Sequence, residues 1–175
     1  WLTLVEREVD PVALPVLSIR LGLAAAPELD DFAAAPARLK WPNDVHVAGA
    51  KLAGILCEGR WRGGALEWVA VGMGVNVAVP ADVPAAAGLR EGVGRVAVLE
   101  RLVPALRRAA ARRGLLDDDE LAAYQARDLA RGHACRAPLP GVVEGLARDG
   151  ALRVRTAHGV ASAYSGSLVL DNGPA

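Results

Sequence analysis

Lysine is nearly missing from this chain: it stands only at positions 40 and 51, among 20 Lys+Arg in 175 residues. A chain so biased towards arginine keeps lysine where a compact ammonium does what a planar guanidinium cannot, and both lysines fall in one short window. Net charge is missing too. A formal charge of zero and a pI near 7.0 argue against a nucleic-acid module held by backbone electrostatics. Cysteine is scarce: Cys57 and Cys135 show no metal-like spacing, no disulfide is indicated, and a reduced cytoplasmic protein is expected. Arginine, proline or acid interrupts every apolar run before the roughly 18 residues of a spanning helix. The N-terminus lacks the basic-then-apolar layout of a secretory signal, so no membrane partner is expected. His46, His133 and His158 are scattered, and no Ser-His-Asp, zinc or Walker-type arrangement or metal ligand set can be assembled.

What is present is a core-forming chain. Hydrophobic residues make up 53% of it, enough for one good-sized domain, or one domain plus a small appendage. Residues 1–7 read as a strand. Pro11 and Pro15 lead into a helix with Leu14, Leu17 and Leu21 at helical spacing, expected to stop at Pro27. Residues 28–37 read as an acidic connector, with Asp30 and Asp31 in a solvated turn. From Ala37 to Val77 the period becomes two: strands at 38–41, 45–47, 51–58 and 65–77, with a turn at 48–50 and a hairpin tip at 59–64. Strands joined by turns this short form an antiparallel meander. A loop follows over 80–94, then a helix over 96–113 kinked at Pro104, whose arginines mostly form a solvated face. Asp117 and Glu120 have capping-box spacing for a further helix carrying Leu121, Tyr124 and Leu129. Beyond Gly132 come short strand-like runs separated by turn signals at Asp149-Gly150 and His158-Gly159. Five strands there would make a small barrel, with a domain boundary near residue 131.

The chemistry concentrates in residues 38–77. Gly72, Gly74 and Asn76 share one strand face, opposite Met73, Val75 and Val77. Bare backbone followed by a carboxamide lets a flat ligand lie against the strand, and close approach is a usual reason for glycine there. Lys51 opens a largely apolar strand, in phase with Ala53, Ile55 and Cys57, and could carry its charge into a half-buried pocket to neutralise a carboxylate or phosphate. The set Lys40, Trp41, Asn43 and Asp44 forms a polar corner around Pro42. Asp44 could orient a lysine, hold Mg²⁺ with substrate phosphates, or cap the turn. Cys57 reads as a small buried hydrophobe rather than a nucleophile. The residues alone reach an anion-binding antiparallel sheet suited to a nucleotide, and no reaction.

The same residues carry a resemblance. KWPND at 40–44, KLAGIL at 51–56 with Glu58 after it, and GMGVNV at 72–77 resemble, in order and spacing, the central motifs of the biotin protein ligase family. The resemblance implies an α+β fold: a class II aminoacyl-tRNA-synthetase-like mixed or antiparallel sheet with helices on one side over 1–131, and an SH3-like barrel over 132–175. It implies that biotin and MgATP form biotinoyl-5′-AMP, whose acyl group passes to a lysine of a biotin carboxyl carrier protein. Lys51 then matches the lysine contacting biotin's carboxylate and the developing phosphate charge, and Asp44 a group assisting the acceptor amine. Lys40, Trp41, Asn43, Gly54, Gly72, Gly74 and Asn76 match substrate- and nucleotide-binding positions. The family's GRGRxGR loop would precede the strand that begins at Trp1, so the resemblance implies an N-terminally incomplete catalytic domain. Its alternatives are an incompetent remnant that binds ligand or dimerises, and a relative of lipoate ligases. A homodimer would form through sheet backbone around 65–77.

Overall fold

The structure is a computed structural model that describes residues 1–171; residues 172–175, the end of the second expected unit, lie outside the described residues. Two antiparallel five-stranded sheets and three helices make a mixed α/β architecture. The first sheet contains β1 (Leu2–Glu6), β2 (Arg38–Lys40), β3 (Asp44–Val47), β4 (Ala50–Arg62) and β5 (Ala65–Val75), in the order β1-β5-β4-β3-β2. The meander expected from short turns is there. Its longest hairpin turns at Gly63 and Gly64, both with positive φ (56° and 82°), which glycine adopts without steric cost and which matches strand twist. Because β1 pairs along β5 from Leu2 opposite Met73 to Glu6 opposite Val69, the backbone around 65–77 is not a free edge. The expected dimer surface there is already occupied by the chain's own first strand.

One face of this sheet is covered by α1 (Leu17–Asp30), α2 (Arg95–Ala110) and α3 (Asp118–Arg127). Alternation along β5 buries Val69, Val71 and Met73 on the helix side, and α1 answers with Leu17, Leu21, Ala25 and Leu29, all fully buried. A 3-10 turn over Pro11–Val16 precedes α1. The expected stop at Pro27 does not occur. Pro27 is exposed, while Leu29 beyond it is buried, so apolar burial in the last turn outweighs the missing amide. Pro11–Asp30 is thus apolar and long enough to cross a membrane by composition, contrary to the sequence expectation. Its apolar residues are spent on this core, and Arg20 sits in its middle.

Arg20 is 2% exposed and donates to Glu120 at 2.7 and 3.0 Å and to the carbonyls of Arg112, Gly114 and Leu115. Glu120 also closes the capping box with Asp117. Burial alone would raise the Glu120 carboxyl, but the Arg20 bond and the Asp117 amide hold it below its ordinary value. The arginines of α2 form the expected solvated face, and from it Arg101 reaches Glu28 and Asp31, and Arg107 reaches Glu6. Asp30 is not in a solvated turn, since it accepts from the Ala37 amide at 2.6 Å and from Arg127 at 2.8 Å. Leu129 lies past the end of α3, and its amide donates to Leu39, extending the β2 edge.

The second sheet holds β6 (Ala134–Ala137), β7 (Gly141–Leu146), β8 (Leu152–Thr156), β9 (Gly159–Ala163) and β10 (Val169–Leu170), in the order β10-β6-β7-β8-β9. No ladder joins β9 to β10 among the described residues. The β7–β8 turn plugs into the first unit: the Trp41 indole donates to Gly150 O at 3.0 Å, and Leu116 N donates to Arg148 O.

Candidate functional site

The face of the first sheet away from the helices carries the candidate residues. The three residues Trp41, Pro42 and Asn43 reverse the chain so that Lys40 pairs with Asp44. Asp44 in turn pairs with Gly54, and Gly54 with Gly74. Four strands thus present one row across the sheet: an ammonium, a carboxylate and two bare backbones. The parity argument held for Gly74 and failed for Lys51. A bulge opposite the Val45 and His46 step adds one residue to β4, so Leu52 and Ala53 are both buried and the phase flips. Lys51 therefore shares the face of Gly54, not that of Ala53 and Ile55. Its chain folds over Gly54, where an added Cβ would stand 3.3 Å from Cε and Nζ, and its ammonium meets Asp44 Oδ1 at 2.6 Å.

This pair is half exposed on the lysine side (50%) and less so on the aspartate side (21%). Pairs so open to water add little to stability, so the ammonium can turn to an incoming anion at small cost. Around it lies a cleft of about 610 Å³, with Lys40, Asn43, Asp44, Lys51, Gly54, Gly74 and Asn76 in its wall, and Pro80, Val83, Pro84 and Ala85 along one side. Ala85 accepts from the Lys51 amide and Ala87 donates to the Lys51 carbonyl, fixing the backbone of Lys51 from the side where β5 has ended. The Trp1 ring lies across Gly74, with Cζ3 3.1 Å from where a Cβ would be.

Seven of the nine expected site residues meet in this cleft, and two do not. Trp41 is 3% exposed and faces the second sheet through its bond to Gly150; it is an anchor between units. Gly72 lies outside the cleft wall, against Leu56. Two that do meet there have structural bonds: the Asn43 amide donates to Ile55 O at 2.6 Å, and the Asn76 amide to Lys51 O at 3.2 Å. Sequence reasoning passed over His46. It shares the phase of Asp44 along β3, faces the cleft, is 8% exposed, and neither ring nitrogen has a hydrogen-bond partner. Burial, with Lys40 and Lys51 nearby, lowers its pKa and so favours the neutral imidazole. Among the described residues no group of three or more acidic, histidine or cysteine side chains is placed to hold a metal. Both cysteines are free, and burial pushes the Cys57 thiol up to about 12.

The pattern of the biotin/lipoate A/B protein ligase family matches residues 1–76, the span that builds this row of residues. A biotin–[acetyl-CoA-carboxylase] ligase of Mycobacterium tuberculosis is 38% identical over 76% of this chain and 52% of its own length. These likenesses support a place for the chain in the biotin/lipoate A/B protein ligase family. A second ligase of this name, from Paracoccus denitrificans, is 43% identical over 45% of this chain and 30% of its own. The chain spans about half or less of these two relatives. The family fold is shared with the biotin protein ligase of Aquifex aeolicus in complex with biotin and ATP: TM-score 0.68 at 22% identity, covering 92% of this chain and 72% of that one.

Proposed function

We propose that this chain carries the adenylate site of a biotin protein ligase. The carboxylate of biotin attacks the α-phosphorus of ATP, pyrophosphate leaves, and biotinoyl-5′-AMP results. A lysine amine of a biotin carboxyl carrier protein then attacks the acyl carbon and AMP departs. The observation that carries the reading is the Lys51 and Asp44 pair seated on the Gly54 and Gly74 backbones. A flat anionic ligand fits against two glycines, and the ammonium beside them exchanges Asp44 for the carboxylate or phosphate. Charge held ready where negative charge develops is the main means of stabilising such a transition state. With Lys51 turned to the ligand, Asp44 is released to accept a proton from the acceptor amine. Lys40 adds a second positive charge at the same end of the row.

Mg²⁺ enters this reading with the nucleotide. Asp44 is the carboxylate that would share it, and the phosphates supply the rest of its oxygen shell, as is usual for this ion. It would neutralise phosphate charge. The relatives named as biotin ligases support biotin over lipoate. In the same reading the first unit is class II aminoacyl-tRNA-synthetase-like and ends near residue 131, and the second sheet is an SH3-like barrel docked through Trp41. Free thiols at Cys57 and Cys135 suit a reducing cytoplasm.

The test is calorimetric titration with biotinol-5′-AMP, a stable mimic of the intermediate. Binding that is lost in Lys51→Ala supports the reading. A folded chain that ignores the mimic leaves the ligand-binding claim without support.

A further inference from the structure

Behind the corner that presents Lys40 and Asp44, on the side of the helices, lies a small space of about 10 Å³. That is on the order of what one water molecule needs. Its wall includes Ser18 and Gly22 of α1, Pro42 and Asp44 of the corner, and Tyr124 of α3. The Tyr124 side chain is 97% buried, yet its hydroxyl has no hydrogen-bond partner. A buried hydroxyl left unpaired costs its full desolvation, so Tyr124, like His46 in the cleft itself, calls for a partner. Ser18 lines the same space, and its Oγ donates to Pro42 O at 3.3 Å, which leaves that oxygen's lone pairs open. The space is thus lined by a residue with an unused donor and one with an unused acceptor.

We infer that one buried water joins Tyr124 to Ser18 and makes Tyr124 a positioning residue for the corner between Lys40 and Asp44. The Tyr124 hydroxyl donates to the water, the water donates to Ser18 Oγ, and Ser18 donates to the Pro42 carbonyl. The relay ties α3 and α1 to the turn whose two ends carry the charged pair. Tyr124 touches no ligand. It acts by fixing the turn, and through it the spacing of Lys40, Asp44 and Lys51. One rival arrangement is specific: Oδ2 of Asp128, one helical turn on, is also buried and unpartnered, and a water between Tyr124 and Asp128 would leave the corner untouched.

The sign of a stability change separates the cases. An unpaired hydroxyl makes Tyr124→Phe neutral or stabilising, whereas a bridged one makes it destabilising. The expected result is a lower Tm for Tyr124→Phe and for Ser18→Ala, with the double variant losing less than the sum, because both remove the same relay. A long-lived water cross-peak at the Asn43 or Asp44 amide in NMR is expected in the wild type and lost in Tyr124→Phe. For the positioning role, Tyr124→Phe weakens biotinol-5′-AMP binding about fivefold, the loss of one neutral hydrogen bond, while Leu121→Ala on the same helix lowers Tm without changing affinity. An unchanged or raised Tm in Tyr124→Phe overturns the inference, as does coupling to Asp128→Asn in place of Ser18→Ala. The affinity measurement rests on the proposed function. If the wild type does not bind the mimic, that reading fails, and the thermal coupling and the water signal still decide this one.

Discussion

Replacing Gly54 by valine separates binding from folding. A Cβ on Gly54 would lie 3.3 Å from both Cε and Nζ of Lys51 and 3.5 Å from Asp44 Oδ1. Alanine at this position needs a shift of a few tenths of an ångström at the free end of a flexible side chain. Valine adds methyl groups about 1.5 Å further out, with a χ1 too stiff to turn both away, so the ammonium must leave the 2.6 Å contact with Asp44 and the space above the strand. The ligand then loses a charge-assisted hydrogen bond of about 1.5–3 kcal/mol, which is roughly 10- to 150-fold in Kd. Stability moves the other way or not at all. The surface pair contributes little, and a β-branched residue suits a strand interior better than glycine. Titration with biotinol-5′-AMP, beside thermal denaturation, reads both quantities. A folded Gly54→Val that binds as tightly as the wild type would refute the argument that Lys51 acts from above Gly54.

Lys51→Arg keeps the charge and is expected to abolish adenylate formation in a version of the protein that forms it, because a guanidinium is too wide for the seat over Gly54; retained turnover removes Lys51 from the mechanism. Glu120→Gln strands Arg20 in the core and should cost about 3–5 kcal/mol in denaturant unfolding. The Glu120 carboxyl is held below its ordinary value in the fold, so its contribution is complete above the unfolded pKa, near 4.3, and is lost as pH falls through the folded value. The acid limb of the Tm profile should therefore flatten in this variant, and an unchanged profile would count against the pair. Cys57, pushed up to about 12 by burial, should resist alkylation at pH 8 in the native state and react on unfolding. Rapid native labelling at that position would contradict its burial.

Local pattern was enough for much of this protein. Alternating apolar residues with short turns dictate the meander, because side-chain period and turn length leave antiparallel pairing as the outcome. The capping box of Asp117 and Glu120, the glycine face of β5 and the inert Cys57 were legible for the same reason: each depends on residues within a few positions. The motif residues named the family, and Lys51 and Asp44 were singled out before their contact was visible. Tertiary structure decided the rest. A single bulge at Leu52 and Ala53 turned Lys51 to the other face, and bulges leave no mark in a period-two reading. Pro27 did not end α1, because burial of Leu29 against the sheet outweighed a local rule. Trp41 proved to be an anchor for the second sheet, since its partner Gly150 stands 109 positions away. His46 and Tyr124 became visible only through their missing partners. Sequence gives a residue's chemistry and its near neighbours, whereas burial and satisfaction belong to contacts between distant segments.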